Sequence, residues 1–260
     1  MAKFLPTAAG SKLLTTAPRG NALCFPGTTL VKGSHASWAV TTALTFEAWV
    51  CLLPQSNTQQ MCLWQHGTNS SSVASCLLRP MLAVAGTPAQ GYNLAWYNYA
   101  VPGAGYLVST GERLYPNVWA HVAVTYDTAL TGGNVKLFVN GNVAGIFTQN
   151  TAVPSSPFNI LGGFDSDGSV RFSGLVDNLR LWNVARTAAQ IQTEMYPLLP
   201  TTTSGLVGCF GFDEASGDFL DVSGTSTALA VDGGTAATNP ARQGSTAPIA
   251  PLGTPKLLTV

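Results

Sequence analysis

Ten short apolar runs, each closed by a cluster of turn residues, set the limits on what this chain can become. They are Ala22–Phe25, Thr45–Leu53, Met61–Gln65, Ser75–Leu78, Tyr92–Tyr99, Trp119–Tyr126, Val135–Val139, Asn159–Leu161, Leu175–Asn183 and Leu206–Phe212. Between them lie clusters such as Leu130-Thr-Gly-Gly-Asn134, Asn140-Gly141 and Asp165-Ser-Asp-Gly168. Runs this short, punctuated this often, predict an antiparallel sandwich and argue against parallel strands joined by helices.

The strands also predict their own faces, because side chains alternate along an extended chain. In Trp119–Tyr126, Trp119, His121, Ala123 and Thr125 share one side and Ala120, Val122, Val124 and Tyr126 the other. Both sides are mostly apolar, so this strand is expected at the centre of a sheet, covered twice. In Leu175–Asn183, Leu175, Leu179 and Leu181 alternate with Asn178, Arg180 and Trp182, and Asp177 falls among the leucines. That pattern predicts a half-exposed strand. Asn140-Gly141 marks a hairpin, since its turn type needs positive φ at both positions. One helix is expected: Thr187 caps Ala188–Met195, Ile191 and Met195 fall on one side, and Pro197 ends it.

Composition narrows the function. The chain has 260 residues with 12 basic and 12 acidic side chains, and only 9% are charged, against about 25% in an average domain. A neutral chain without a basic run lacks the Lys/Arg footprint of a nucleic-acid binder. No apolar stretch is long enough to span a bilayer. Pro6 interrupts the place where a signal peptide would carry its apolar segment, so synthesis in the cytoplasm without a signal peptide is expected. Cys24, Cys51, Cys62, Cys76 and Cys209 show no paired ligand spacing and read as buried thiols. Residues 1–20 read as an N-terminal arm, 21–232 as one domain, and the Gly-, Ala-, Thr- and Pro-rich residues 233–260 as a C-terminal tail.

Several motifs in order then resemble a known family. Asn21-Ala-Leu-Cys-Phe-Pro-Gly27, Leu44-Thr-Phe-Glu-Ala-Trp-Val50 and Trp119-Ala-His-Val-Ala-Val-Thr-Tyr-Asp127 come first. Val135–Gly141, Phe172–Arg186 and Gly205–Gly217 follow. Together they are similar to the laminin-G-like, concanavalin A-like jelly roll. The resemblance implies an all-β fold of two antiparallel sheets packed face to face, with one short helix at an edge and extended terminal arms. It also implies binding of sugars or proteins, sometimes with calcium. On that basis Asp165, Asp167 and Asp177 are the candidate metal ligands. Pro26 and Asn178 stand where the family often carries acids, which weakens the calcium set.

The same fold resembles that of retaining glucanases, which need two carboxyls about 5–5.5 Å apart. On a strand they would alternate. Glu47, Glu112, Glu194 and Glu214 are the only glutamates, and none has an acid two or four residues away on a strand. His35, His66 and His121 are isolated, and no Gly-x-Ser-x-Gly elbow occurs. The chain is therefore expected to be a non-enzyme. The leading expectation is a structural or assembly role, a virion decoration or capsid cement-like protein whose partners are its own copies and a larger particle. The alternative is a lectin-like module that binds glycans. Its expected contacts are Tyr92, Asn93, Trp96, Tyr97, Asn98 and Tyr99, an aromatic and amide-rich stretch.

Overall fold

The structure, a computed structural model, describes residues 3–7, 10–14, 20–54, 61–67, 75–83, 88–100, 105–164, 167–226, 228–231 and 241–249. Two large antiparallel sheets enclose the principal core. Across the eight-stranded sheet the strands run Asn142–Phe147, Val135–Val139, Trp119–Asp127, Ala43–Leu52, Ser173–Trp182, Asn21–Pro26 and Ala241–Gly244, with Leu206–Phe210 also pairing with Ser173–Trp182. The seven-stranded sheet runs Ala230–Val231, Val31–Ser34, Phe158–Leu161, Trp64–His66, Cys76–Leu82, Tyr92–Asn98 and Leu107–Val108. Lys3–Thr7 and Gly10–Leu14 form a separate hairpin. No helix among the described residues is long and apolar enough to cross a membrane.

Alternation fills the core. Leu44, Phe46, Ala48 and Val50 point inward from one strand, and Val122, Val124 and Tyr126 from its neighbour, to meet Trp64, Leu78, Leu94 and Trp96 of the facing sheet. Phe46 stacks on Trp64 at 4.6 Å between ring centroids, an offset aromatic contact that adds to the apolar area removed from water. As expected, Trp119–Asp127 is central and buried on both sides.

The other side of the eight-stranded sheet is covered too. The helix Ala188–Glu194 lies over it, with Ile191 packed on Ala123 and Phe138. Thr187 and Gln190 close a reciprocal capping box, which satisfies donors at the first turn. Asn140 and Gly141 take φ values of 51° and 78° and turn the chain between Val135–Val139 and Asn142–Phe147. Within the segment read as a C-terminal tail, Ala241–Gly244 adds a strand beside Asn21–Pro26. Ala247 and Ile249 then pack with Trp49, Trp119, Met195 and Leu198.

One expected pattern is corrected. Ser173–Trp182 is not half-exposed: its pairing register with Ala43–Leu52 shifts between Asp177 and Arg180, and Asn178 sits at φ 46°. The bulge puts one extra residue on this strand. Leu179 and Leu181 therefore face the core, while Arg180 and Trp182 are buried beneath the second layer. The five cysteines are free thiols, four buried and Cys24 half-buried.

Candidate functional site

The stretch Tyr92–Tyr99 divides by the pleat. Tyr92 and Trp96 lie in the principal core, and Trp96 Nε1 donates to Gln149 Oε1 at 2.8 Å. Asn98 follows the same parity and is buried. Its Nδ2 donates to the Ala152 carbonyl at 3.2 Å and its Oδ1 accepts from Ala100 N at 2.9 Å. These three members of the expected ligand set hold the fold and do not face solvent. Asn93, Tyr97 and Tyr99 are half-buried on the outward face.

On that face the tyrosines form one cluster with a residue the sequence reading missed. Tyr97 meets Tyr99 edge-on at 4.5 Å and Tyr106 at 4.8 Å with a 44° tilt. Cys62 and Leu77 pack beneath, with Val170 alongside. Ala95 pairs with Val108 and Trp96 with Leu107, and this register carries Tyr106 to the side of Tyr97. Burial, then the neighbouring Tyr106 and Tyr97, raises the Tyr99 phenol above its ordinary value, so it is a neutral hydroxyl. Arg79 anchors the cluster from the adjacent strand. Its Nε donates to the Met61 carbonyl at 2.9 Å, its Nη1 donates to the Tyr106 hydroxyl, and its guanidinium carbon lies 5.1 Å from the Tyr106 ring centre. Aromatic edges, hydroxyls and an amide on one surface can stack against and hydrogen-bond a ring of alternating C–H and O–H groups.

The carboxylates of the opposite sheet have a different setting. Glu47 is fully buried, and its Oε1 accepts from Arg186 at 3.0 Å, Arg180 at 3.3 Å and Trp182 Nε1 at 3.0 Å. Burial pushes this carboxyl up, but Arg180, His121 and Arg186 outweigh it and the net shift is downward. His121 is also buried, its Nε2 3.7 Å from Glu47 Oε2, and burial drives its pKa down to about 4. Glu194 completes a balanced set of two carboxylates and two guanidinia through Arg186. The helix and the segment after it seal this set from solvent, which makes it a structural lock and leaves no room for a substrate. Between the sheets, a small cleft is lined by Trp38, Val40, Trp64, His66 and Asn159. Its polar groups are already paired, Trp64 Nε1 to Asn159 Oδ1 at 2.9 Å among them.

The family model for the concanavalin A-like lectin/glucanases superfamily (Laminin_G_3) matches residues 25–192. The chain belongs to this family. No curated protein matches it in sequence. Among solved structures, a proposed carbohydrate-binding protein from Bacteroides ovatus aligns at TM-score 0.59 and 19% identity, over 95% of this chain and 67% of its own. A heptameric SAP-like pentraxin from Limulus polyphemus aligns at 0.49 and 15%, over 67% and 81%. The CBM40 of the Ruminococcus gnavus IT-sialidase, bound to α2,3-sialyllactose, aligns at 0.49 and 15%, over 69% and 98%. At 19% identity the likeness to the Bacteroides ovatus protein shows the fold alone.

Of the three candidate calcium ligands in this member of the lectin/glucanase family, only Asp177 has a described side chain. Asp165 lies outside the described residues, as does the side chain of Asp167, whose backbone belongs to the strand Asp167–Arg171. Asp177 is buried on the outer side of the eight-stranded sheet and accepts a hydrogen bond from the Ser245 hydroxyl. Burial drives its pKa up to about 8. Calcium is held by six to eight oxygens, mostly ionised carboxylates and carbonyls. Among the described residues no three His, Cys, Asp or Glu side chains come together in a metal-binding group. Of the three candidates, Asp177 is thus engaged within the fold by Ser245.

Proposed function

We propose that this chain is a non-catalytic carbohydrate-binding protein, and that its ligand lies on the outward face of the seven-stranded sheet against Tyr97, Tyr99 and Tyr106. The observation that carries the reading is the convergence of these three phenols, Tyr97 on the strand Tyr92–Asn98, Tyr99 directly after it and Tyr106 brought in by strand pairing. Membership of a lectin/glucanase family supports it, and so does the likeness to the Bacteroides ovatus protein. The buried setting of Glu47 and Asp177 supports a binding role over hydrolysis, since neither reaches a bound sugar. An assembly role draws on the 9% charge content, the expected lack of a signal peptide and of catalytic residues, and the Pro-containing terminal arms, and neither the fold nor the family adds a particle or a partner copy.

The test is a glycan array with the wild-type chain and Tyr97→Ala, run with calcium and with a chelator. The expected outcome is binding that is indifferent to calcium and about tenfold weaker or worse in the variant. Release of reducing sugar from any bound glycan would overturn the non-catalytic part, and an array without a single hit would overturn the whole.

A further inference from the structure

We propose that the glycan-binding face holds a second contact, Tyr115 with Asn93 at the far end of the same strand, so that the ligand is an extended polysaccharide chain gripped at two points. This inference rests on the carbohydrate reading above and adds to it the length of the ligand.

Strand pairing puts Tyr115 on that face. Leu114 and Tyr92 exchange both backbone hydrogen bonds at 2.8 Å, and both side chains lie in the principal core. Side chains alternate along paired strands, so the next pair, Tyr115 opposite Gly91, belongs to the outward side with Asn93 and Tyr97. Contact agrees with parity: a Cβ added to Gly91 would lie 2.9 Å from Tyr115 Cε1 and 3.2 Å from Cδ1. Gly91 is the seat of the ring, an approach that only a residue without a side chain permits. It is buried, while Tyr115 above it is 45% exposed.

A single exposed apolar side chain is ordinary on a protein surface. Tyr115 differs in how firmly its surroundings are fixed. Val118 N donates to the Tyr115 carbonyl at 3.2 Å and Asn117 N to the Leu52 carbonyl at 2.8 Å. Arg113 Nη1 donates to the Gln90 carbonyl at 3.0 Å, directly before Gly91. A ring ordered before its ligand arrives loses little entropy on binding. Beside it, Asn93 is half-buried, and its side-chain amide has no partner among the described residues. That amide keeps two donors and an acceptor for sugar hydroxyls.

The spacing of the two contacts sets the ligand. From Gly91 to Tyr97 the chain advances about 20 Å at the rise of a strand. Tyr106 flanks Tyr97 at one end as Tyr115 covers Gly91 at the other. Ala95, midway on the same side, is buried, so these are two platforms and not one strip. A chain long enough to reach both makes the second contact an intramolecular event, and its affinity then exceeds that of either contact alone.

The experiment is isothermal titration with cello-, manno-, xylo- and malto-oligosaccharides, each from the disaccharide to the octasaccharide. The expected result is at least one series whose affinity rises about tenfold or more between trisaccharide and octasaccharide. Tyr115→Ala should remove that rise, Asn93→Ala should reduce it, and both should leave the trisaccharide affinity unchanged. Tyr97→Ala should weaken every length. Affinity that levels off at the trisaccharide, or a rise that survives Tyr115→Ala, would overturn the second contact while the carbohydrate reading stands. A rise untouched by Asn93→Ala would strike Asn93 from it. If no member of any series binds, both readings fall.

Discussion

Glu47 Oε1 and Arg186 Nη1 lie 3.0 Å apart, and both side chains are sealed from solvent. The pair ties the central strand Ala43–Leu52 to the start of the helix, with Arg186 stacked 4.1 Å over the Trp182 ring. Removing one partner from a buried pair leaves the other charge without compensation and costs about 3–5 kcal/mol. Glu47→Gln strips the lock of one of its two carboxylates and leaves Arg180 and Arg186 facing Glu194 alone. Urea unfolding of Glu47→Gln is expected to show a loss in that range, and a loss below about 1 kcal/mol would mean the lock is not a stabilising feature.

The same buried groups predict the dependence of stability on pH. Glu47 has a lowered pKa in the fold, so its contribution is present above the ordinary value of 4.5 and is lost as pH falls below it. His121, lowered to about 4, stays neutral in the fold while the unfolded chain takes up its proton from 6.5 downward. That too removes stability on the acid side. Asp177 works in the opposite direction. Its pKa is raised to about 8, so the fold is favoured while the unfolded chain remains protonated near 3.8, and that advantage drains away as pH climbs to about 8. Thermal unfolding from pH 3.5 to 9 should therefore give a maximum on the mildly acidic side of neutrality. Asp177→Asn should flatten the fall between pH 6 and 8 and leave the acid limb in place.

Gly141 offers a local test of the hairpin. Its φ of 78° lies in the left-handed region, and an added Cβ would sit 2.6 Å from Gln192 Cγ and 3.2 Å from Gln192 Cα on the helix. Gly141→Ala is expected to cost about 1–3 kcal/mol, from the backbone penalty and the displaced helix contact. A thermal melt unchanged by the substitution would show that the turn and helix are not packed as described.

Much of this architecture is legible in the residues, and the parts that are not have definable causes. Alternation in Trp119–Tyr126 and the Asn140-Gly141 turn foretell a central strand and its hairpin, because both follow from backbone geometry alone. The faces of Ser173–Trp182 are not foretold, because a bulge at Asp177-Asn178 reverses the parity halfway along the strand. Arg180 reads as solvent-facing from the pattern, yet the helix and the segment beyond it bury it beside Trp182. Such a second layer is a tertiary event with no periodic signal. Lys32 and Val31 fall in the strand Val31–Ser34, which is too short and glycine-broken to stand out. At the site, parity shows that Tyr92 and Tyr97 face opposite ways, but it cannot say which faces water. Tyr106 carries no signal of its own, since only the pairing of Leu107–Val108 with the neighbouring strand places it.

Trp96 and Tyr97 turn that parity into the sharpest test of the binding face. They are adjacent in sequence, yet Trp96 is fully buried in the core and Tyr97 belongs to the outward cluster. Trp96→Phe loses the bond to Gln149 and part of the core volume, so it should lower stability by about 1–3 kcal/mol while each folded molecule keeps its full glycan affinity. Tyr97→Ala should do the reverse, with a stability loss of about 1 kcal/mol and a collapse of binding. Parallel melts and titrations of the two variants decide the matter, because a ligand seated anywhere else on the sandwich would leave the affinity of Tyr97→Ala unchanged.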